Sequence, residues 1–359
     1  MRAMSLSIGL CCLGLACAGC DSTDPEESLS TTGMVIANQG NFGDGNGSVM
    51  LLDVETGNVT TLAAGFGSIV QSIELQGGSV HVVANSAGRV DIRDLETGDL
   101  TGQVTGLSSP RYMVTLNPNT AYVTNIFDQG FTGGHVNILD LTLGSIVKTL
   151  DVGENPEGLV AVGGQVYVAN HGFGAGQTLS VINTVAEEVS RIIDVECDGP
   201  RTLLVDREVE LWVLCTGQTL FDDQFNVIGE TPGEIVLLDG TTGTEVTRFV
   251  LTSRIATAGP GQDAFYSDEE QELYVVLDQD KVLRINTGAN TIVDTFGPFD
   301  GAPIGAVAYD ADSDLLYLGR VPGFSANGTI TVHDRAGVQV DTHPAGVAPS
   351  YLALIREEG

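Results

Sequence analysis

Lysine is almost missing from this chain. Of 359 residues, 15 are Lys or Arg, only Lys148 and Lys281 are lysine, and 47 are Asp or Glu, so the formal charge is −32. Such a surface repels a phosphate backbone, which excludes nucleic acid as a partner. Scarce lysine with excess acid also fits adaptation to high salt, a solvation trait that says little about chemistry. Histidine is sparse: His81, His135, His171, His333 and His343 are scattered, with no pair at zinc-ligand spacing. There is no CxxCH haem motif, no GxSxG elbow, no GxxxxGK phosphate loop and no Ser/His/Asp set that spacing alone assembles. Long stretches with 3.6-residue apolar spacing are lacking, which argues against helices. Beyond the first twenty residues no apolar run approaches the ~20 residues of a spanning helix.

What is present is repetition. Short Val/Ile/Leu/Tyr runs alternate with Gly, Asn, Asp and Thr, as in an all-β chain rich in turns. "LLDVETGNV", "IRDLETGDL", "ILDLTLGSI", "VINTVAEEV", "LLDGTTGTEV", "RINTGANTI" and "VHDRAGVQV" each place an Asx residue after an apolar strand. The anchors Asp53, Asp94, Asp140, Asn183, Asp239, Asn286 and Asp334 are spaced by 41, 46, 43, 56, 47 and 48 residues. A four-stranded blade needs roughly 40–50 residues, so seven anchors predict a seven-bladed β-propeller of antiparallel blades. Each anchor is expected to bond backbone amides within its own turn. A second element precedes it ("MVIAN", "VHVVAN", "AYVTN", "VYVAN", "LWVLC", "LYVVL", "LYLGR"), and a third, often opened by proline, comes earlier still ("SSPRYMV", "ENPEGLV", "CDGPRTLLV", "GAPIGAVAY", "VAPSYLALI"). Proline suits a strand start, where its missing donor does no harm. The first repeat lacks this proline element and the last copy has no blade after it. The C-terminal strand is therefore expected to complete the N-terminal blade and remove the exposed edges.

"YVTN" at residues 122–125, with its variants "YVAN" and "VVAN", resembles the YVTN-type (YncE-like) β-propeller repeat of bacterial and archaeal surface proteins. The resemblance covers residues 33–356, read as the propeller domain. "ANQGNFGDGNGSVMLLD" and the leader resemble a narrower set, surface lipoproteins that sit over TonB-dependent outer-membrane transporters. Some of these capture cobalamin, and a corrinoid ligand here is implied by that resemblance alone.

Arg2 and an apolar run ending in small residues read as a signal peptide, residues 1–19. "CAGC" resembles a lipoprotein processing site with Cys20 as the lipidated residue, although Cys17 stands where that pattern usually has Leu. Residues 20–32 read as an acidic, Ser/Thr-rich flexible tether. This implies an exported outer-membrane lipoprotein at the cell surface, touching the membrane through its lipid only. Cys197 and Cys215 are the only cysteines past the leader. Export makes them one disulfide; two buried unpaired thiols are the other reading.

In a propeller the loop after the second strand and the loop before the innermost strand open on the same face. Seven of the twelve phenylalanines fall in loops of the first kind: Phe42, Phe127, Phe131, Phe173, Phe221, Phe225 and Phe324. Aromatic enrichment on one face points to a bound partner or ligand; the alternative is small local cores beneath each loop. Asn41 and His171 accompany them. At the innermost-strand starts Arg111, Glu157 and Arg201, aligned with Gln71, Asp263, Ile304 and Ser350, would ring the channel mouth. They would hold a polar ligand or pair between blades. Asp44 and Asn46 in "GDGNGS" have the alternation of a calcium loop but lack its bidentate Glu. No cofactor is otherwise expected. The leading expectation is a non-enzymatic envelope protein that captures a small-molecule nutrient on this face, beside a transporter. A structural or protein-docking module and a lactonase-like hydrolase using His171, Glu157 and Arg201 are the rivals.

Overall fold

The computed structural model describes residues 29–127 and 133–358. Seven four-stranded antiparallel sheets are arranged as blades in a ring, with one additional two-stranded hairpin. The innermost strands are Pro349–Glu358, Val70–Gln76, Pro110–Asn117, Pro156–Val162, Pro200–Val205, Ala264–Ser267 and Ile304–Asp310, for blades 1 to 7. Four of them begin at the proline predicted to open them.

Closure follows the expectation. The last strand, Pro349–Glu358, is the innermost strand of blade 1 and pairs antiparallel with Leu29–Asn38. The pairing reaches further than the sequence indicated. Residues 29–32, read as part of the tether, extend the strand, with Ser30 opposite Glu357 and Thr31 opposite Arg356. The Thr31 amide also donates to Asp312 at 2.7 Å, fastening blade 1 to blade 7.

The repeat has a local cause. In six blades the anchor's Oδ1 accepts the amide three residues on, for example Asp94 from Thr97 at 2.8 Å, Asn183 from Ala186 at 2.8 Å and Asp239 from Thr242 at 2.7 Å. In blade 7 Asp334 accepts from Ala336 and Val338 instead. In those six blades the residue four places after the anchor is left-handed, which explains Gly57, Gly98, Gly144 and Gly243, while Glu187 and Asn290 adopt the same conformation in blades 4 and 6; in blade 7 it is Gly337, three places on.

The second strand of each blade is buried on both faces because neighbouring blades cover it. Thr120–Asn125, Gln165–Asn170 and Glu210–Cys215 are buried at every residue after the first. Each fully buried Val or Leu there stabilises the ring by roughly 1.5–3 kcal/mol. Polar ends of large side chains find partners: Trp212 Nε1 donates to Asp206 at 2.7 Å and the Tyr167 hydroxyl to the Gly240 carbonyl at 3.1 Å. Cys197 and Cys215 are disulfide-bonded, joining the approach to blade 5 to the end of its second strand, with Cα atoms 6.0 Å apart.

Candidate functional site

The loops after the second strands share one face, here the loop face, with the segments that lead into the innermost strands. The turns between innermost and second strands lie on the opposite, back face. On the loop face the channel mouth widens into a bowl of two hollows, of 490 and 480 Å³, that share Arg111, Ile126 and Pro260.

Buried charge forms the floor of the bowl. Arg111 of blade 3 makes a bidentate pair with Glu157 of blade 4, with Nε to Oε2 at 3.0 Å and Nη2 to Oε1 at 2.8 Å, and its Nη1 donates to Gln71 of blade 2 at 2.5 Å. Side-chain exposure is 11% for Arg111 and 6% for Glu157, so each charge depends on the other. Arg201 of blade 5 donates to the Gly261 carbonyl at 2.7 Å and lies 3.6 Å from Asp263 of blade 6. These contacts make a polar belt that ties blades 2, 3 and 4 together, and blades 5 and 6. Of the two readings of these residues, the structure shows the pairing between blades, at the mouth of the channel.

His171 stands on the wall with both nitrogens engaged. Nδ1 is 3.1 Å from the Asn155 amide nitrogen and Nε2 is 3.2 Å from the Thr216 hydroxyl. The Thr216 oxygen also lies 3.0 Å from the Gly217 carbonyl, which takes its proton. That leaves Nε2–H donating to Thr216 and Nδ1 accepting from Asn155. Burial pulls the His171 pKa down from 6.5 to about 4, so the ring is neutral at neutral pH.

The aromatics divide into groups. Phe42 and Phe127 line one hollow and Phe173 the other. The Phe127 and Phe173 rings stack across blades 3 and 4 with centroids 6.0 Å apart. Phe42 and Phe173 are 71% and 65% exposed, and Phe173 is held in the left-handed region at φ 56°, an unusual setting for a bulky residue. Phe324 packs on Gly259 and lines neither hollow. Phe221 and Phe225 ride on the extra hairpin, Thr219–Phe221 against Val227–Glu230, also outside the hollows. Asn41 belongs to its loop: Oδ1 accepts the Gly43 amide at 2.8 Å and Nδ2 donates to the Phe324 carbonyl at 2.8 Å. Asn46 Oδ1 takes the Asn41 amide at 2.6 Å. Among the described residues, no group of three or more His, Cys, Asp or Glu is placed to hold a metal ion. Phe131 and Cys20 lie outside the described residues.

Sequence reasoning missed Arg254, Asn155 and Thr216. Arg254 lines the bowl and donates to the carbonyls of Thr216 at 3.2 Å and Gly217 at 3.0 Å, to Thr219 at 2.9 Å and to Glu230 at 3.1 Å. It thus fastens the root of the hairpin. The long segment between the outermost strand of blade 5 and the innermost of blade 6 carries it, and no repeat marks that segment. The 56-residue anchor spacing was the signal for the hairpin.

No family model matches the chain, and neither does any curated protein. Solved structures do. The periplasmic gluconolactonase of Pseudomonas aeruginosa superposes with a TM-score of 0.67 at 16% identity, covering 90% of this chain and 99% of that one. Kuenenia stuttgartiensis hydrazine synthase gives 0.63 at 19% identity, over 80% and 95% of the two chains. The Cps50 (Swd1) β-propeller domain of Myceliophteria thermophila gives 0.59 at 13% identity, over 82% and 96%. At these identities the likeness establishes the seven-bladed propeller and nothing finer, since this fold hosts unrelated activities.

Proposed function

We propose that this chain is a non-enzymatic, lipid-anchored capture protein of the cell envelope. Its bowl takes a small molecule with an apolar or aromatic body and an anionic or hydrogen-bond-accepting group. The observation that carries this reading is the pairing of exposed or half-buried rings with buried or half-buried arginines. Phe42, Phe127 and Phe173 surround a floor holding Arg111, Arg201, Arg254 and a single carboxylate, Glu157, in a chain of charge −32. Rings supply stacking area and guanidinium groups supply directed donors. Delivery to a TonB-dependent transporter, with a corrinoid as cargo, is the specific form suggested by the lipoprotein-like leader and the YVTN-type repeats.

Calorimetric titration of the unlipidated protein with a nutrient panel, corrinoids included, tests the reading. One class of compound binds, and Phe127→Ala/Phe173→Ala weakens it at least about tenfold, as loss of two stacked rings predicts. Unchanged affinity in the double variant overturns the loop-face site. Co-purification with an envelope protein and no affinity for any small molecule replaces capture by docking. The likeness to a gluconolactonase makes lactones the natural enzymatic control, and hydrolysis abolished by His171→Ala replaces binding by catalysis.

A further inference from the structure

Below the belt the channel opens into a separate cavity of 530 Å³, running from Gly261–Asp263 to Asp268, Glu269 and Arg356 at the back face. Its walls are mostly apolar, including Leu75, Met113, Leu159, Leu203 and Leu352. Two carboxylates interrupt them. Asp263 is fully buried; Oδ1 takes the Thr202 hydroxyl, while among the described residues Oδ2 accepts no hydrogen bond and has Arg201, at 3.6 Å, as its one cation within salt-bridge distance. Glu74 Oε1 takes both the amide and the hydroxyl of Thr115, while its buried Oε2 has no partner. A buried carboxylate oxygen without a donor is costly, and such groups in folded proteins are normally satisfied.

We propose that this channel cavity binds a cationic amphiphile, a primary alkylammonium, with its N–H donors directed to the free oxygens of Glu74 and Asp263 and its alkyl part against the apolar wall. Three observations converge. The unfilled acceptors belong to acids, so the missing partner is a donor and preferably a cation. Among the described residues Glu74 has no arginine or lysine within salt-bridge distance, so a charge-matched guest would find an unpaired acid to meet. The remaining polar groups lining the cavity are the tyrosines Tyr112, Tyr266 and Tyr351, Thr202, Gln262 and the back rim, where Glu269 pairs with Arg356 and Asp268 with Arg207 and the Tyr266 hydroxyl. Burial pushes the carboxyls of Glu74 and Asp263 up, as expected of acids awaiting a cation.

The test titrates the full chain near neutral pH with octylammonium, octanol and octanoate. Sodium chloride at about 0.5 M keeps the acidic surface from collecting cations non-specifically. Octylammonium binds, octanol binds at least about tenfold more weakly and octanoate does not bind, as a charge-assisted contact requires. Glu74→Gln removes the preference for ammonium over alcohol, whereas Phe127→Ala/Phe173→Ala leaves it intact. Equal affinity for octylammonium and octanol overturns the site, and so does loss of binding in the bowl variant. Should Glu74→Gln fail to fold, the pH profile of the parent decides. Ammonium affinity that rises from acid to neutral pH, with octanol affinity flat, supports the carboxylates; parallel profiles refute them.

Discussion

The two ends of the channel are built from the same seven strands, yet they sort charge in opposite ways. The bowl holds Arg111, Arg201 and Arg254 with Glu157, and its rim carries exposed rings. The channel holds Glu74 and Asp263 between aliphatic walls. Arg201 and Asp263 span the divide, one lining each compartment. A repeat fold thus produces two unlike chambers, one lined by loops and strand starts and the other by the innermost strands below them. The belt acts as a partition as well as a girder.

Removing one partner from the belt should have the largest effect. Glu157→Ala leaves Arg111 buried without its counter-charge and should cost about 3–5 kcal/mol in denaturant unfolding, with Arg111→Met/Glu157→Leu recovering most of the loss. A single variant as stable as the parent would show that the partition carries no load. Acid has the next largest effect, and in the bowl it acts through His171. Folded His171 has a pKa near 4 against 6.5 unfolded, so its neutral form is fully favourable above about 6.5 and its contribution is lost as pH falls toward 4. That difference amounts to roughly 3 kcal/mol. Subtracting the pH–stability curve of His171→Gln from that of the parent isolates it from His81, His333 and the carboxylates; superimposable curves would contradict a buried, neutral ring. The smallest effect lies remote from both chambers. Asn183→Ala removes the bonds to the Val185 and Ala186 amides and should cost about 1 kcal/mol, with ligand affinity unchanged at either end.

The repeat made the ring legible. An Asx residue, a turn and a left-handed position recur because each blade needs the same tight connection, so the local chemistry announces itself seven times. Closure was readable for the same reason, from a proline-led strand left over at the end. The site was only partly legible. Which loops share a face follows from topology, and Phe42, Phe127 and Phe173 line the two hollows on that face. Whether a ring faces a hollow depends on loop conformation, and this separated them from Phe221 and Phe225. The hairpin carrying those two reads in the sequence as a long loop, because strands of three and four residues barely alternate. Arg254 stood in an unrepeated segment, and its role depends on carbonyls that no side-chain pattern reveals. The orphaned oxygens of Glu74 and Asp263 are likewise matters of three-dimensional accounting: sequence shows an acid but not what stands opposite it.

The clasp between first and last strands has a practical corollary. Leu29 and Glu358 are paired neighbours at the back-face edge of blade 1. A handle or sensor surface attached beside Leu29 or Glu358 therefore grips the propeller from the same point behind. Immobilising the protein by its termini presents the ring of phenylalanines to the solution, while access from the rear narrows as the grip tightens.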